Sequence, residues 1–179
     1  MLAQEIRRVI LNSFQDLGYS RAKILKQVQH DKEKDHLELV ALATVADLVP
    51  LVGANRTLLK FGLEQLKRTK RVGLLELFKE GGLDQSKIGV YEIGHIIAPR
   101  LNAMGRLEYA MDSLRLLCTT NQERARDLAQ VLGNTNRERQ TLTIETVEHA
   151  KEKVKSSRLK VKSLLFISDE SYQQGVIGL

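Results

Sequence analysis

Thr120-Asn121-Gln122-Glu123, followed by Ala125, Leu128, Ala129, Leu132, Asn136, Ile144, Val147, Ala150 and Val154, decides the layout of this chain. The opening tetrapeptide reads as a capping box, and the later residues recur at helical spacing. From Thr120 to Ser157 the pattern predicts about ten turns, roughly 50 Å of helix. Gly133-Asn134 marks an expected bend. So long and polar a helix usually connects two bodies, and a domain boundary is expected there.

Upstream the pattern is helical almost throughout. Ile6, Val9, Ile10 and Leu17 share one face before Gly18, and Ser20–Gln29 reads as a second helix. A charged link, Asp31–Asp35, precedes Leu37–Ala46, which is apolar nearly all round and therefore reads as a buried helix. Asn55–Arg68 is an amphipathic helix with Asn55 offered as its cap. Leu74–Lys79 and Tyr109–Leu117 are helical, and Ile88–Ile97 is open between strand and helix. Downstream, Val161–Ser168 alternates and then runs apolar, as a buried strand does. Helices without their strands at the start, and a first strand without neighbours at the end, lead to the expectation of an incomplete protein.

Composition narrows the classes. With 42% apolar residues, 4% aromatics and no Trp, the core must rest on Leu, Ile, Val and Ala, as in helical or α/β proteins. The single cysteine, Cys118, reads as a small buried hydrophobe, and it excludes an internal disulfide or a cysteine metal cluster. The start, Met1–Arg8, lacks the apolar core of a signal peptide, and no uncharged apolar stretch is long enough to span a membrane. A cytoplasmic protein without a membrane role is therefore expected. The net charge of +6 permits a polyanionic partner, although Lys67-Arg68-Thr69-Lys70-Arg71 also suits a solvated helix face.

Two stretches carry chemistry. Thr44-Val45-Ala46-Asp47-Leu48-Val49-Pro50-Leu51 sets one carboxylate in an apolar run. Burying it unpaired costs several kcal/mol or protonates it, so Asp47 is a cap, an ion-pair partner or a metal ligand. Pro99-Arg100-Leu101-Asn102-Ala103-Met104-Gly105-Arg106-Leu107 offers two guanidinium groups and an amide around a glycine, suited to gripping phosphate. Arg100 and Arg106 lie about 240° apart on a continuous helix, so only Gly105 or a break after Pro99 could bring them together. Asn102 and Arg106 share a face.

Extended to Leu39–Leu51 and Ala98–Leu107, these two stretches, with Asn136-Arg137-Glu138-Arg139-Gln140, occur in an order that resembles the RecJ family of single-stranded-DNA exonucleases in the DHH phosphoesterase superfamily. The closing Tyr172-Gln173-Gln174-Gly175-Val176-Ile177-Gly178 is similar to the opening of that family's second domain, with Gln173 where the family usually has His. The resemblance runs from about Leu37 to the end. It implies an α/β, DHH phosphoesterase-like fold of which this chain is a mainly helical part. Residues 1–119 would be the latter part of the catalytic domain, 120–157 the connector, and 158–179 the start of the second domain.

The resemblance further implies a metal-dependent 5′→3′ exonuclease of DNA repair or recombination, monomeric when complete. Asp47 would be the metal ligand for Mn²⁺ or Mg²⁺, with Arg100, Asn102, Gly105 and Arg106 lining the phosphate of single-stranded DNA. The family's paired-Asp strand and Asp-His-His triplet are not in this sequence, and Asp35-His36-Leu37 lacks the second His. His36 reads as a surface residue and His95 as a packed or hydrogen-bonded one. The isolated chain is therefore expected not to hydrolyse DNA. The alternatives are a phosphoesterase of the same superfamily acting on oligonucleotides or cyclic dinucleotides, and a non-catalytic basic helical module that binds nucleic acid.

Overall fold

The computed structural model describes residues 36–107, 109–156 and 165–176. The helices expected over Ile6–Leu17 and Ser20–Gln29, with the charged link after them, lie outside these residues. Among the described residues seven α-helices follow one another: α1 (Leu37–Ala46), α2 (Ala54–Leu66), α3 (Val72–Glu80), α4 (Val90–Glu92), α5 (Ala98–Leu107), α6 (Met111–Cys118) and α7 (Gln122–Ser156). A π-helical turn, Ile93–Ile97, joins α4 to α5, so residues 90–107 form one continuous rod. The segment that sequence left open between strand and helix is thus mostly helix.

The core takes apolar side chains from every one of these helices except the three-residue α4. Leu66, Leu74, Leu77, Phe78, Ile88, Ile93, Ile97, Leu116 and Leu132 are fully buried. Four such side chains, Leu66, Leu74, Leu77 and Phe78, come from α2 and α3 alone, each contributing about 1.5–3 kcal/mol of apolar burial. α1 pairs with α2, while α3, α5 and α6 pack on α7. α1 carries buried residues on most of its circumference, as its unbroken apolar sequence requires.

Several sequence expectations need correction. Among the described residues all regular structure is helical, so the α/β class and the strand over Val161–Ser168 are not seen there. Residues 161–164 lie outside the description. Residues 165–168 are irregular, and Phe166 is 89% exposed rather than buried. No described strand lies alongside to take up a strand's backbone groups. Cys118 is exposed, because the buried stripe of α6 runs through Ser113, Leu116 and Leu117 and leaves the helix end outside it. Asn55 lies inside α2, whose N-cap is Gly53, and its amide donates instead to the Pro50 carbonyl at 3.1 Å. At the start of α7, Asn121 Oδ1 accepts from the Arg124 backbone N–H at 2.9 Å, displacing the cap by one residue from Thr120. α7 itself runs unbroken through Gly133.

Candidate functional site

The end of α1 explains how Asp47 is held. Leu48 N donates to Val45 O at 3.2 Å and Val49 N to Thr44 O at 3.0 Å. Those two bonds form a Schellman closure with Leu48 in the left-handed position, at φ 51°. Glycine normally takes that position; a leucine there costs about 1–2 kcal/mol, and this one is 88% exposed, so burial does not offset the strain. Val49, buried, pins the turn inward. Asp47 is the helix C-cap, and its Oδ2 is buried without a hydrogen-bond partner. No ion pair reaches Asp47 among the described residues. The carboxylate is therefore not explained by capping or by charge pairing.

The rod of residues 90–107 lies against α1. A Cβ built on Gly94 would stand 3.8 Å from Val45 Cγ1, two residues before Asp47. Beyond the π turn, Arg100 and Arg106 diverge as an unbroken helix dictates. Arg100 turns inward: its Nε donates to Glu80 Oε2 at 2.5 Å and its Nη1 to Ile96 O at 2.9 Å. Arg106 stays exposed, with Nη1 donating to Gly175 O at 3.2 Å. Asn102 is exposed near Arg106 on the same face, and Gly105 is exposed beside it. The structure brings Asn102, Gly105 and Arg106 together and commits Arg100 elsewhere.

Glu80, at the end of α3, is the residue that sequence reasoning missed. Its second oxygen accepts from Arg137 Nη1 at 2.8 Å, so one carboxylate ties α3 to both α5 and α7. A Cβ on Gly133 would lie 2.0 Å from Glu80 Oε1, which makes this glycine the space into which the carboxylate fits. Arg137 is thereby structural. Arg139, one turn away from Asn136, rests with its Nε and Nη2 on Asn136 Oδ1 at 3.3 and 3.1 Å. Burial and then the nearby positive charge of Arg106 lower its pKa. Neither Arg106 nor Arg139 meets a carboxylate among the described residues. Two guanidinium groups left to repel each other favour an anion between them.

The segment 165–176 closes this corner. A Cβ on Gly175 would lie 2.1 Å from Arg106 O, so only glycine permits the backbone approach. Tyr172 packs edge-on against His149 of α7, and Lys153 pairs with Asp169. Gln173 is exposed. His36 is exposed at the head of α1, and His95 is exposed with Nδ1 3.1 Å from Tyr91 O. Of the basic run, Arg71 Nε bonds the buried Glu38 at 3.0 Å, so that stretch is partly structural.

Over 143 residues, 80% of its length, the chain is 37% identical to the single-stranded-DNA-specific exonuclease RecJ of Bacillus subtilis. It is 36% identical over 148 residues to the enzyme of that name from Escherichia coli. The crystal structure of RecJ in complex with Mn²⁺ from Thermus thermophilus superposes with a TM-score of 0.70 at 31% identity, covering 86% of this chain. The chain belongs to the RecJ family. It spans 18% of the Bacillus RecJ, 26% of the Escherichia RecJ and 22% of the Thermus RecJ chain. A second RecJ structure, bound to manganese, matches with a TM-score of 0.61 at 35% identity. No family model matches the sequence.

Both of those RecJ structures hold manganese. Asp47 Oδ2, an unpartnered hard oxygen, fits one coordination position. Among the described residues no group of three His, Cys, Asp or Glu side chains could complete a set. No described helix is long and apolar enough to cross a membrane.

Proposed function

We propose that this chain is part of a 5′→3′ single-stranded-DNA exonuclease that hydrolyses phosphodiester bonds with divalent metal, Mn²⁺ or Mg²⁺, in DNA repair or recombination. The observation that carries the reading is the orphaned, buried Asp47 oxygen, together with the relatives' activity as single-stranded-DNA-specific exonucleases. Asp47 would hold one metal position. When bound, such ions activate water and offset charge on the phosphate. Asn102 and Arg106 would orient the phosphate by an amide N–H and a guanidinium on one face, and Gly105 would let the substrate approach the helix backbone. Arg100, neutralised by Glu80, is a positioning residue that fixes α5 on α3.

In this reading residues 1–119 belong to the catalytic domain, 120–157 to a connector and 158–179 to the start of a second domain, in a cytoplasmic, monomeric whole. The 179-residue chain alone binds DNA without cleaving it, since one carboxylate does not hold a catalytic pair of ions. The test is a chimera in which residues 37–176 replace the matching stretch of the Bacillus RecJ. Mn²⁺-dependent cleavage of single-stranded DNA is expected, with Asp47→Asn lowering kcat at least 100-fold and Arg106→Gln mainly raising KM. Full cleavage by the Asp47→Asn chimera would overturn the assignment.

A further inference from the structure

Tyr91 and His95 stack with ring centroids 4.3 Å apart and planes 17° from parallel. Both are exposed, Tyr91 by 64%, although aromatic residues are scarce in this chain. Nothing in the core uses them: the buried side of the same rod is Ile93 and Ile97, each at 0%. The His95 Nδ1 faces the Tyr91 carbonyl at 3.1 Å. A carbonyl only accepts, so Nδ1 carries the proton and the imidazole ring is held in place beside the phenol.

The π turn decides where this pair points. From Tyr91 to Arg106 there are fifteen steps, and fifteen α-helical steps overshoot four turns by about 60°. A π turn closes through i→i+5 bonds and so advances less per residue. Five such residues, Ile93–Ile97, remove most of the overshoot. Tyr91, His95 and Arg106 consequently fall nearly in line, with Asn102 about 40° to one side on the same face, and all four are exposed. At the far end of the line stands Arg139, and Gly94 beside the line touches the helix that ends in Asp47.

We infer that Tyr91 and His95 form a nucleobase-stacking platform, continuous along one helix face with the phosphate-holding Asn102 and Arg106. This rests on reading that face as a single-stranded-DNA site. A flat aromatic surface followed by a basic, amide-bearing one matches the alternation of base and phosphate in a single strand, which proteins hold by aromatic stacking along a positive groove. Stacking tolerates every base, so the platform grips without selecting sequence. Eleven residues separate Tyr91 from Asn102, about 16 Å along the rod, so the stacked base lies beyond the nucleotide whose phosphate Arg106 holds.

The test compares two fluorescent strands of equal length, oligo-dT and its abasic counterpart, binding the 179-residue chain as followed by anisotropy. The parent should prefer oligo-dT. Tyr91→Leu with His95→Leu should lose about 5- to 100-fold on oligo-dT and nothing on the abasic strand, while Tyr91→Phe keeps the preference. Circular dichroism melts identify unfolded variants; where the double variant unfolds, Tyr91→Leu alone gives the answer. Arg106→Gln reports separately on the phosphate site: it should weaken both strands and reduce the salt slope by about 0.7. Equal losses on both strands, no loss, or a parent without base preference or DNA binding overturns the platform. An Arg106→Gln variant with an unchanged salt slope contradicts the phosphate site instead.

Discussion

Gly133→Ala should destabilise the protein, opposite in sign to the ordinary effect of that change inside a helix. Alanine at an unencumbered helical position gains about 1 kcal/mol over glycine. Here the new Cβ would stand 2.0 Å from Glu80 Oε1 and 2.2 Å from its Cδ, inside any real contact, so the carboxylate must leave. It is held by Arg100 at 2.5 Å and Arg137 at 2.8 Å, with side-chain exposures of 16% for Arg100 and 10% for Glu80. A charged hydrogen bond that little hydrated is worth about 1.5–3 kcal/mol. Arg137 is 59% exposed, and its link is discounted to under about 1 kcal/mol. Less the alanine gain, the net loss is about 0.5–3 kcal/mol. Urea unfolding followed by circular dichroism measures it. The same substitution in a Glu80→Ala background should be neutral or stabilising, and that reversal is the coupling. A stabilising Gly133→Ala in the parent, or equal effects in both backgrounds, would refute the account of Glu80 as the strut.

Other consequences follow from single residues. Gly105→Ala meets nothing nearer than Ala110 Cβ at 3.6 Å, so it should raise stability by about 0.5–1 kcal/mol; thermal melts check this, and a weakened grip on single-stranded DNA in the same variant would report close substrate approach. Glu76, buried, accepts from Lys79 Nζ at 2.6 Å, and that hydrogen bond chiefly holds its carboxyl below the usual 4.5. A depressed carboxyl contributes stability above its unfolded pKa and loses it as pH falls through the folded value. Stability is therefore lost progressively below about pH 4.5, and Glu76→Gln should flatten the slope of urea midpoint against pH; an unchanged slope contradicts the assignment.

Sequence showed the helices well where periodicity alone decides them. The unbroken apolar run of Leu37–Ala46 became a helix buried on most sides, and the polar repeat after Thr120 became a 35-residue helix. It failed where partners across the fold decide. Ile88–Ile97 is apolar enough for a strand, and packing against α1 makes it a helix with a π turn. Gly133 resembled a bend because a sequence does not show the carboxylate filling its missing Cβ. The arginines divide for the same reason: Arg100 and Arg137 find Glu80, far away in sequence, while Arg106 and Arg139 meet only uncharged acceptors among the described residues, the Gly175 carbonyl and Asn136 Oδ1. The six-residue spacing of Arg100 and Arg106 already argued that they diverge. Tyr91 and His95 stand at i and i+4, a pairing that shares a face only on a helix, and the apolar run around them leaves strand and helix open.

The most direct measurement is the melting temperature of Asp47→Asn in the 179-residue chain without added metal. If the carboxylate is kept for a cation and not for the fold, removing an unpartnered buried charge leaves the melting temperature unchanged or raises it. A fall equivalent to about 1 kcal/mol or more, the worth of an intramolecular hydrogen bond, would show that Asp47 serves the fold and contradict its place in a metal site.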